Sequence, residues 1–409
     1  MTSAQPAEVR IGVCAPLGFR AGATAAGIRA DGDAHRLDVA LIVSDGPCQA
    51  AGVFTRNLVK AAPVVISQLT LRRREPIRAV VVNSGNANAC TGPQGFRDAL
   101  RMATAAADGC DADPSEVLIC STGVIGRPMP MDRVLDGIRR ATTSLGEDAG
   151  EAAARAIMTT DTVVKTAAVS VRIGGVLHTV GGMAKGAGMI HPDMATLLAF
   201  VTTDAAVERD ALQEVLTDVC SRTFNCLSID GDTSTNDTLL LLANGAAEGP
   251  PMTSSSPQLS TLRDAVEEVC LSLVEQLAAD AEGATKSIRV HVTGAVDDAQ
   301  AHAASRTVVL SPLVKSAVHG SDPNWGRIVA ALGRSGATFT LDRCCVFIGG
   351  IAVFSSGQPV AVDLDVIRAV FSRTCIDIDV HLGAGDGCGR AWGCDLSPDY
   401  VHINADYTT

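Results

Sequence analysis

The sequence predicts a mixed α/β or α+β protein built from helix and sheet layers, and three observations carry that expectation. Short β-branched runs end abruptly in Gly/Asn/Ser loops, and stretches at helical spacing stand between them. The interior must also be made of small side chains, because 47% of the 409 residues are apolar but only 3% are aromatic. Small side chains let backbones approach closely, which suits stacked layers more than an aromatic-lined pocket.

The segment Arg78-Ala79-Val80-Val81-Val82-Asn83 reads as a buried strand running into a Gly/Asn loop, and Val117-Leu118-Ile119-Cys120 repeats the pattern before Ser121-Thr122-Gly123. Between them, residues 96–107 carry Ala and Leu at helical spacing, and residues 133–157 form a longer helical region with a break near Gly146. Residues 166–173 alternate as a strand. Thr203-Asp204 is a candidate cap for a helix whose apolar face is Val207, Leu212, Val215, Leu216 and Val219. Residues 261–280 present a second stripe of Leu262, Val266, Val269, Leu273 and Leu277, and the Gly/Pro/Ser-rich residues 248–257 before it read as a surface linker. Further strands are expected over 287–292, 338–341, 345–354 and 376–380, which makes the C-terminal part strand-rich.

A formal charge of −12 argues against nucleic acid as a partner. The thirteen cysteines are odd in number and contain no CxxC pair, so they read as small buried hydrophobes in a reducing compartment and not as metal ligands or disulfides. The N-terminal residues show no basic stretch leading into an apolar one, and no run of about 18 apolar residues follows; a cytoplasmic protein with no membrane partner is expected. Arg72-Arg73-Arg74 reads as a solvated face.

The densest chemistry lies in Gly181-Gly-Met-Ala-Lys185-Gly-Ala-Gly-Met-Ile-His-Pro-Asp-Met-Ala195-Thr196, a glycine-rich stretch that stops at Thr196 and turns apolar. It lacks the GK[ST] ending of a phosphate loop. The stretch GMAKGAGMIHPDMATLLAF resembles the signature of the ornithine acetyltransferase family, the ArgJ-type glutamate N-acetyltransferases of arginine biosynthesis. VFTRN (53–57), NSGNANACTG (83–92), STGVIG (121–126), AIMTTDT (156–162), SIDGDTSTNDT (228–238), EGATK (282–286), KSAVHGSDPNWGR (315–327) and the tail AWGCDLSPDYVHINADYTT resemble it too, in family order over nearly the whole chain.

The resemblance implies a layered sheet-and-helix fold of the DmpA/ArgJ kind and a precursor that cuts itself at Ala195-Thr196. The products would be an α chain, 1–195, and a β chain, 196–409, joined as an α2β2 heterotetramer. A Thr hydroxyl is a poor nucleophile without a base, and the α-amine freed by the cut, with a reference pKa of roughly 8, is the nearest one. Thr122 and Gly123 are implied as oxyanion donors, with backbone amides at the turn after the strand expected to point into a cleft. Thr159, Lys185, Thr196, Glu282, Asn404 and Thr409 are implied to bind substrate. Lys185 suits a carboxylate and Glu282 an amine, although without the resemblance both would read as solvated surface charges.

The implied reaction moves an acetyl group from N2-acetylornithine to glutamate through acetyl-Thr196, with no metal and no cofactor. Acetyl-CoA is left open as a co-substrate. A paralogue with altered N-acyl specificity, or a hydrolase, is the rival reading, with Asp193 standing where many members of the family carry Asn. A non-catalytic homologue is opposed by the intact MAT, STG and INADYTT elements. His191 and His319 are read as structural hydrogen-bonding groups, and SIDGDTSTNDT as a polar loop beside the site and not a cation loop.

Overall fold

Strands covered on both faces lose the alternation of apolar and polar residues, and those covered on one face keep it. Both kinds occur in the computed structural model, which describes residues 10–29, 33, 35–191 and 197–406. The chain runs β1 (Phe19–Thr24), β2 (Val39–Phe54), α1 (Ala62–Arg72), β3 (Ile77–Asn83), α2 (Gly92–Cys110), β4 (Val117–Ser121), α3 (Met131–Thr143), α4 (Gly150–Ala156), β5 (Lys165–Ile173) and β6 (Val176–Lys185). From residue 197 onward come β7 (Leu198–Thr203), α5 (Arg209–Arg222), β8 (Thr238–Ala243), α6 (Leu259–Ala279), β9 (Ser287–Ala295), α7 (Asp298–Val309), α8 (Pro312–His319) and α9 (Trp325–Gly333). β10 (Cys345–Ile348), β11 (Ile351–Ser355), β12 (Gln358–Pro359), α10 (Leu364–Val370), β13 (Cys375–His381), β14 (Gly387–Cys394) and α11 (Pro398–Asp406) complete it.

Among the described residues, eight strands form one mixed sheet in the order β4-β3-β2-β8-β7-β6-β5, with β1 on β2. β2 joins its two halves: Val39–Val43 pair with β3, the register breaks before Cys48, and Gln49–Phe54 pair with β8. Met102, Ala106, Val134 and Ile138 of α2 and α3 cover one half through Leu41, Val81 and Ile119. Val215, Leu216, Val266, Val269 and Leu273 of α5 and α6 cover the other through Val201, Leu239 and Leu241. The alternate residues Ile42, Val80, Leu118, Phe200 and Leu240 meet in a single cluster with Phe19 and Ile157 between the halves. The layers are therefore helix, sheet, sheet and helix, and each fully buried Leu or Ile side chain contributes roughly 1.5–3 kcal/mol to holding them together.

The second sheet, in the order β12-β11-β10-β13-β9-β14, buries one face under its own helices, and at β14 Trp392 and Cys394 on the other face join the first core. Ile288, Val290 and Val292 pack with Ile376, Ile378 and Val380 under α7 and α9, while Arg289 and His291 face solvent. This is the alternation the sequence shows.

Three expected elements need correction. Thr203 ends β7 and caps no helix; the Asp204 carboxylate is taken by the Thr179 N–H (2.8 Å) and the Leu17 N–H (3.0 Å), and α5 starts only at Arg209. Residues 338–341 are not a strand, because Arg343 N–H and Cys344 N–H bond back to Thr340 and Leu341 in a local turn. Residues 345–354 are two antiparallel strands, not one, folded at Gly349-Gly350. Nine of the thirteen cysteines are buried, whereas Cys90 and Cys388 are exposed and Cys345 and Cys375 half-buried. Among the described residues no helix is long and apolar enough to cross a membrane.

Candidate active site

The ends of three strands set the site. β3 stops at Asn83, β4 at Ser121 and β6 at Lys185, and the loops beyond them line one cavity with Thr122, Gly123, Thr159, Lys185, Glu282 and Asn404. Sequence positions as far apart as 122 and 404 are thus brought together. Ala195, Thr196 and Thr409 lie outside the described residues.

Lys185 is buried, with 4% of its surface exposed, and its Nζ donates to Thr122 Oγ1 at 3.1 Å. Burial pushes its ammonium below the usual range, and the Asp161 carboxylate pulls in the other direction. Asp161 organises this corner. It accepts from the N–H groups of Thr159 (2.9 Å) and Gly186 (2.7 Å) and from Lys165 Nζ (2.8 Å), and Lys165 also reaches Asp280 at 2.5 Å. Burial alone would raise the Asp161 carboxyl, but Lys185 and Lys165 outweigh it and hold the group down at about 2. Two residues of the implied binding set, Thr159 and Lys185, therefore hang on one buried carboxylate.

Across the cavity, Glu282 sits in the turn between α6 and β9. Its N–H donates to Ala187 O (2.9 Å), and its carboxylate accepts from Asn404 Nδ2 of α11 (2.9 Å). Gly188 makes that approach possible, since a Cβ there would lie 2.3 Å from Glu282 Oε2. One wall of the cavity is cationic and the other anionic.

The Ser121-Thr122-Gly123 turn differs from the expectation in one respect. The Thr122 N–H is committed to Asn83 O (3.0 Å), so Thr122 offers the cavity its hydroxyl and not its amide. Among the described residues, nothing accepts the Gly123 N–H. Gly123 has φ +129°, and a Cβ there would stand 2.3 Å from Gly85 C. We predict that Gly123→Ala lowers turnover by about a hundredfold or more, because the residue must leave this backbone region and takes its N–H with it. Steady-state kcat on folded protein checks this; a loss below tenfold would contradict it.

Several functional supports were not read from the sequence. Asn236 Nδ2 donates to Ala87 O (2.7 Å) and Ser121 O (2.8 Å), tying the loop before β8 to those after β3 and β4. Asn83, Asn86 and Asn88 bond backbone carbonyls or turns within the same core of loops, and Ser121 Oγ donates to Asn83 Oδ1 (2.6 Å). The density of Asn in NSGNAN was the available signal, since buried side-chain amides must be satisfied and are therefore placed to hold loops. His191 Nδ1 lies 3.1 Å from Ser228 Oγ and His319 Nδ1 2.8 Å from Asp395 Oδ2. Among the described residues no cluster of three or more His, Cys, Asp or Glu is arranged to hold a metal.

A model of the ArgJ family matches residues 20–409. The chain belongs to the ArgJ family. The "Arginine biosynthesis bifunctional protein ArgJ" of Symbiobacterium thermophilum is 50% identical over 398 residues, covering 97% of this chain and 98% of that protein. Its counterpart in Gloeobacter violaceus is 47% identical, again over 97% and 98% of the two chains. The crystal structure of the ArgJ protein of Bacillus halodurans matches with a TM-score of 0.50 and 41% identity, covering 51% of this chain and 98% of that one. ArgJ family membership thus extends over the fold and over every loop that lines the cavity.

Proposed function

We propose that this ArgJ-family chain is an ornithine acetyltransferase that moves the acetyl group of N2-acetylornithine to glutamate through acetyl-Thr196. The observation that carries this reading is the cavity that sets Lys185 and Thr122/Gly123 opposite Glu282 and Asn404. An amino acid with a charged tail needs both signs of charge, and Lys185 answers a carboxylate as Glu282 answers an ammonium. Thr159 and Thr409 complete the binding set.

The chemistry follows in two halves. Thr196 Oγ attacks the acetyl carbonyl, its proton passing to the Thr196 α-amine, and the oxyanion is met by the Thr122 hydroxyl and the Gly123 N–H. The C–N bond breaks, ornithine leaves with the proton, and an acetyl ester remains. The amine of glutamate then attacks the ester, the C–O bond breaks, and Thr196 regains its proton. The buried Lys185 ammonium donates to Thr122 Oγ1, which leaves the hydroxyl hydrogen of Thr122 to point at the oxyanion. This sequence draws on no metal or cofactor.

The base in this scheme exists only after cleavage of Ala195-Thr196, so 1–195 and 196–409 are the working chains, assembled as α2β2. A solved relative covered over 98% of its own length by only 51% of this chain is a polypeptide about half as long, which supports a two-chain enzyme.

Incubation of the cleaved protein with N2-acetylornithine and no glutamate should add about 42 Da to the 196–409 chain by intact-mass spectrometry, and glutamate should remove it. An unmodified chain under those conditions sinks the acetyl-threonine reading. Acetylation of glutamate with acetyl-CoA as sole donor would show a second donor.

A further inference from the structure

We propose that Asp230 and Asp237 are positioning residues for the backbone cut, gripping the chain on the two sides of residues 192–196. The inference rests on the self-cleavage reading above. On the upstream side, Asp230 accepts from the N–H of Met189 (2.5 Å) and of Ile190 (2.9 Å). Ile190 O is taken in turn by the Ile229 N–H (2.8 Å) and Ser228 Oγ (3.2 Å). On the downstream side, Asp237 Oδ1 accepts from the Leu197 N–H (3.1 Å), and Leu197 O accepts from the Thr238 N–H (3.1 Å). Both polar backbone groups of Ile190 and both of Leu197 are therefore fixed, and every partner comes from the eleven-residue segment 228–238.

Two further observations separate this from ordinary loop packing. Met189 has φ +57°, a left-handed conformation that non-glycine residues avoid, and the Asp230 bonds hold it there. Asp237 is buried, and its Oδ2 has no hydrogen-bond partner among the described residues. A carboxyl taken out of water with one of its oxygens left without a hydrogen bond is a costly device where only a loop is to be closed. Burial pushes the Asp237 carboxyl well above the usual range, against the pull of the Leu197 N–H.

The reason for fixing both ends is geometric. In the cut, Thr196 Oγ attacks the Ala195 carbonyl, the C–N bond breaks as the C–O bond forms, the amine takes up the hydroxyl proton, and water then opens the ester. Nucleophile and carbonyl belong to adjacent residues, and a displacement of about 1 Å in such a pair costs about a hundredfold in rate. Anchors at Ile190 and Leu197 limit the arrangements open to the six residues between them.

The test follows precursor disappearance by denaturing electrophoresis for the full chain and its variants, with circular dichroism and thermal unfolding as fold controls. Asp237→Leu removes the acceptor for Leu197 and should slow the cut by about tenfold or more, as should Asp230→Ala. Asp237→Asn keeps an acceptor oxygen in the same shape and should restore the rate to within about threefold of wild type, which a general loss of stability would not do. Folded Asp237→Leu and Asp230→Ala that keep pace with wild type overturn the proposal. So does Asp237→Asn as slow as Asp237→Leu. If Asp237→Leu does not fold, Asp230→Ala and the Asp237→Asn rate decide. A wild-type chain that is never cut fails the cleavage reading itself, a different result from a wild type that is cut no faster than its variants.

Discussion

Replacing Thr196 by alanine is expected to leave one 42.1 kDa chain that neither splits nor takes up acetyl. Both outcomes share a cause. In the proposed scheme the hydroxyl is the attacking group in both the cut and the transfer, and the α-amine that would serve as its base is released only by the cut. The loss should be complete on denaturing electrophoresis and in the mass of the C-terminal chain, with the thermal transition of the precursor retained. Thr196→Ser keeps an attacking oxygen and should retain both activities at lower rates. An acetyl adduct on the Thr196→Ala protein would assign the nucleophile elsewhere, and fragments at 1–195 and 196–409 from that protein would mean that another agent makes the cut.

The second large effect concerns stability. Lys165 is fully buried and bonds Asp161 and Asp280, both of them buried or nearly so. Lys165→Met keeps the length of the side chain and strands two carboxylates in a dry interior. Removal of one member of such a group costs about 3–5 kcal/mol. The pH dependence carries its own sign. The folded protein holds Asp161 below the ordinary carboxylate range, so ionisation favours the folded state. That contribution is whole above about pH 4 and is lost as the pH falls through about 2. In Lys165→Met, burial is opposed by one ammonium fewer, and the loss should begin at higher pH. Denaturant unfolding at pH 7, 5 and 4 tests both parts. A variant that unfolds in parallel with wild type at every pH would contradict the account, and activity should fall with stability because Asp161 also holds Thr159 and Gly186.

The strands around residues 80 and 119 were legible as short apolar runs closed by loop residues, and those around 290 and 378 by their alternation of apolar and polar residues. β2 was not. Ser44-Asp45-Gly46-Pro47 in its middle reads as a turn, yet the strand continues through these residues with a register break that turns it from one half of the sheet to the other. The residues of the site were legible through their motifs, but their physical state was not. Lys185 resembles a surface lysine in sequence, and its burial depends on Thr122 and Asp161, which other loops deliver. The Thr122 amide likewise looked available until Asn83 O was found to accept it. The roles of Asp230 and Asp237 were illegible for the same reason: an acidic loop shows its charges in sequence, and only folding shows that they face backbone amides.

β6 ends at Lys185 and β7 begins at Leu198, and the two pair from Val180↔Thr203 to Lys185↔Leu198. β2 pairs with β8 in the same way, so the proposed cut falls between strands that are neighbours in one sheet and separates no module. Before the cut, the chain renatures as a unimolecular process. Afterwards each piece carries an unfinished edge of the same sheet, and recovery from denaturation becomes a second-order search whose yield falls with dilution while aggregation competes for the exposed strands. Under the proposed cut, the fold is therefore assembled most efficiently from the uncut chain.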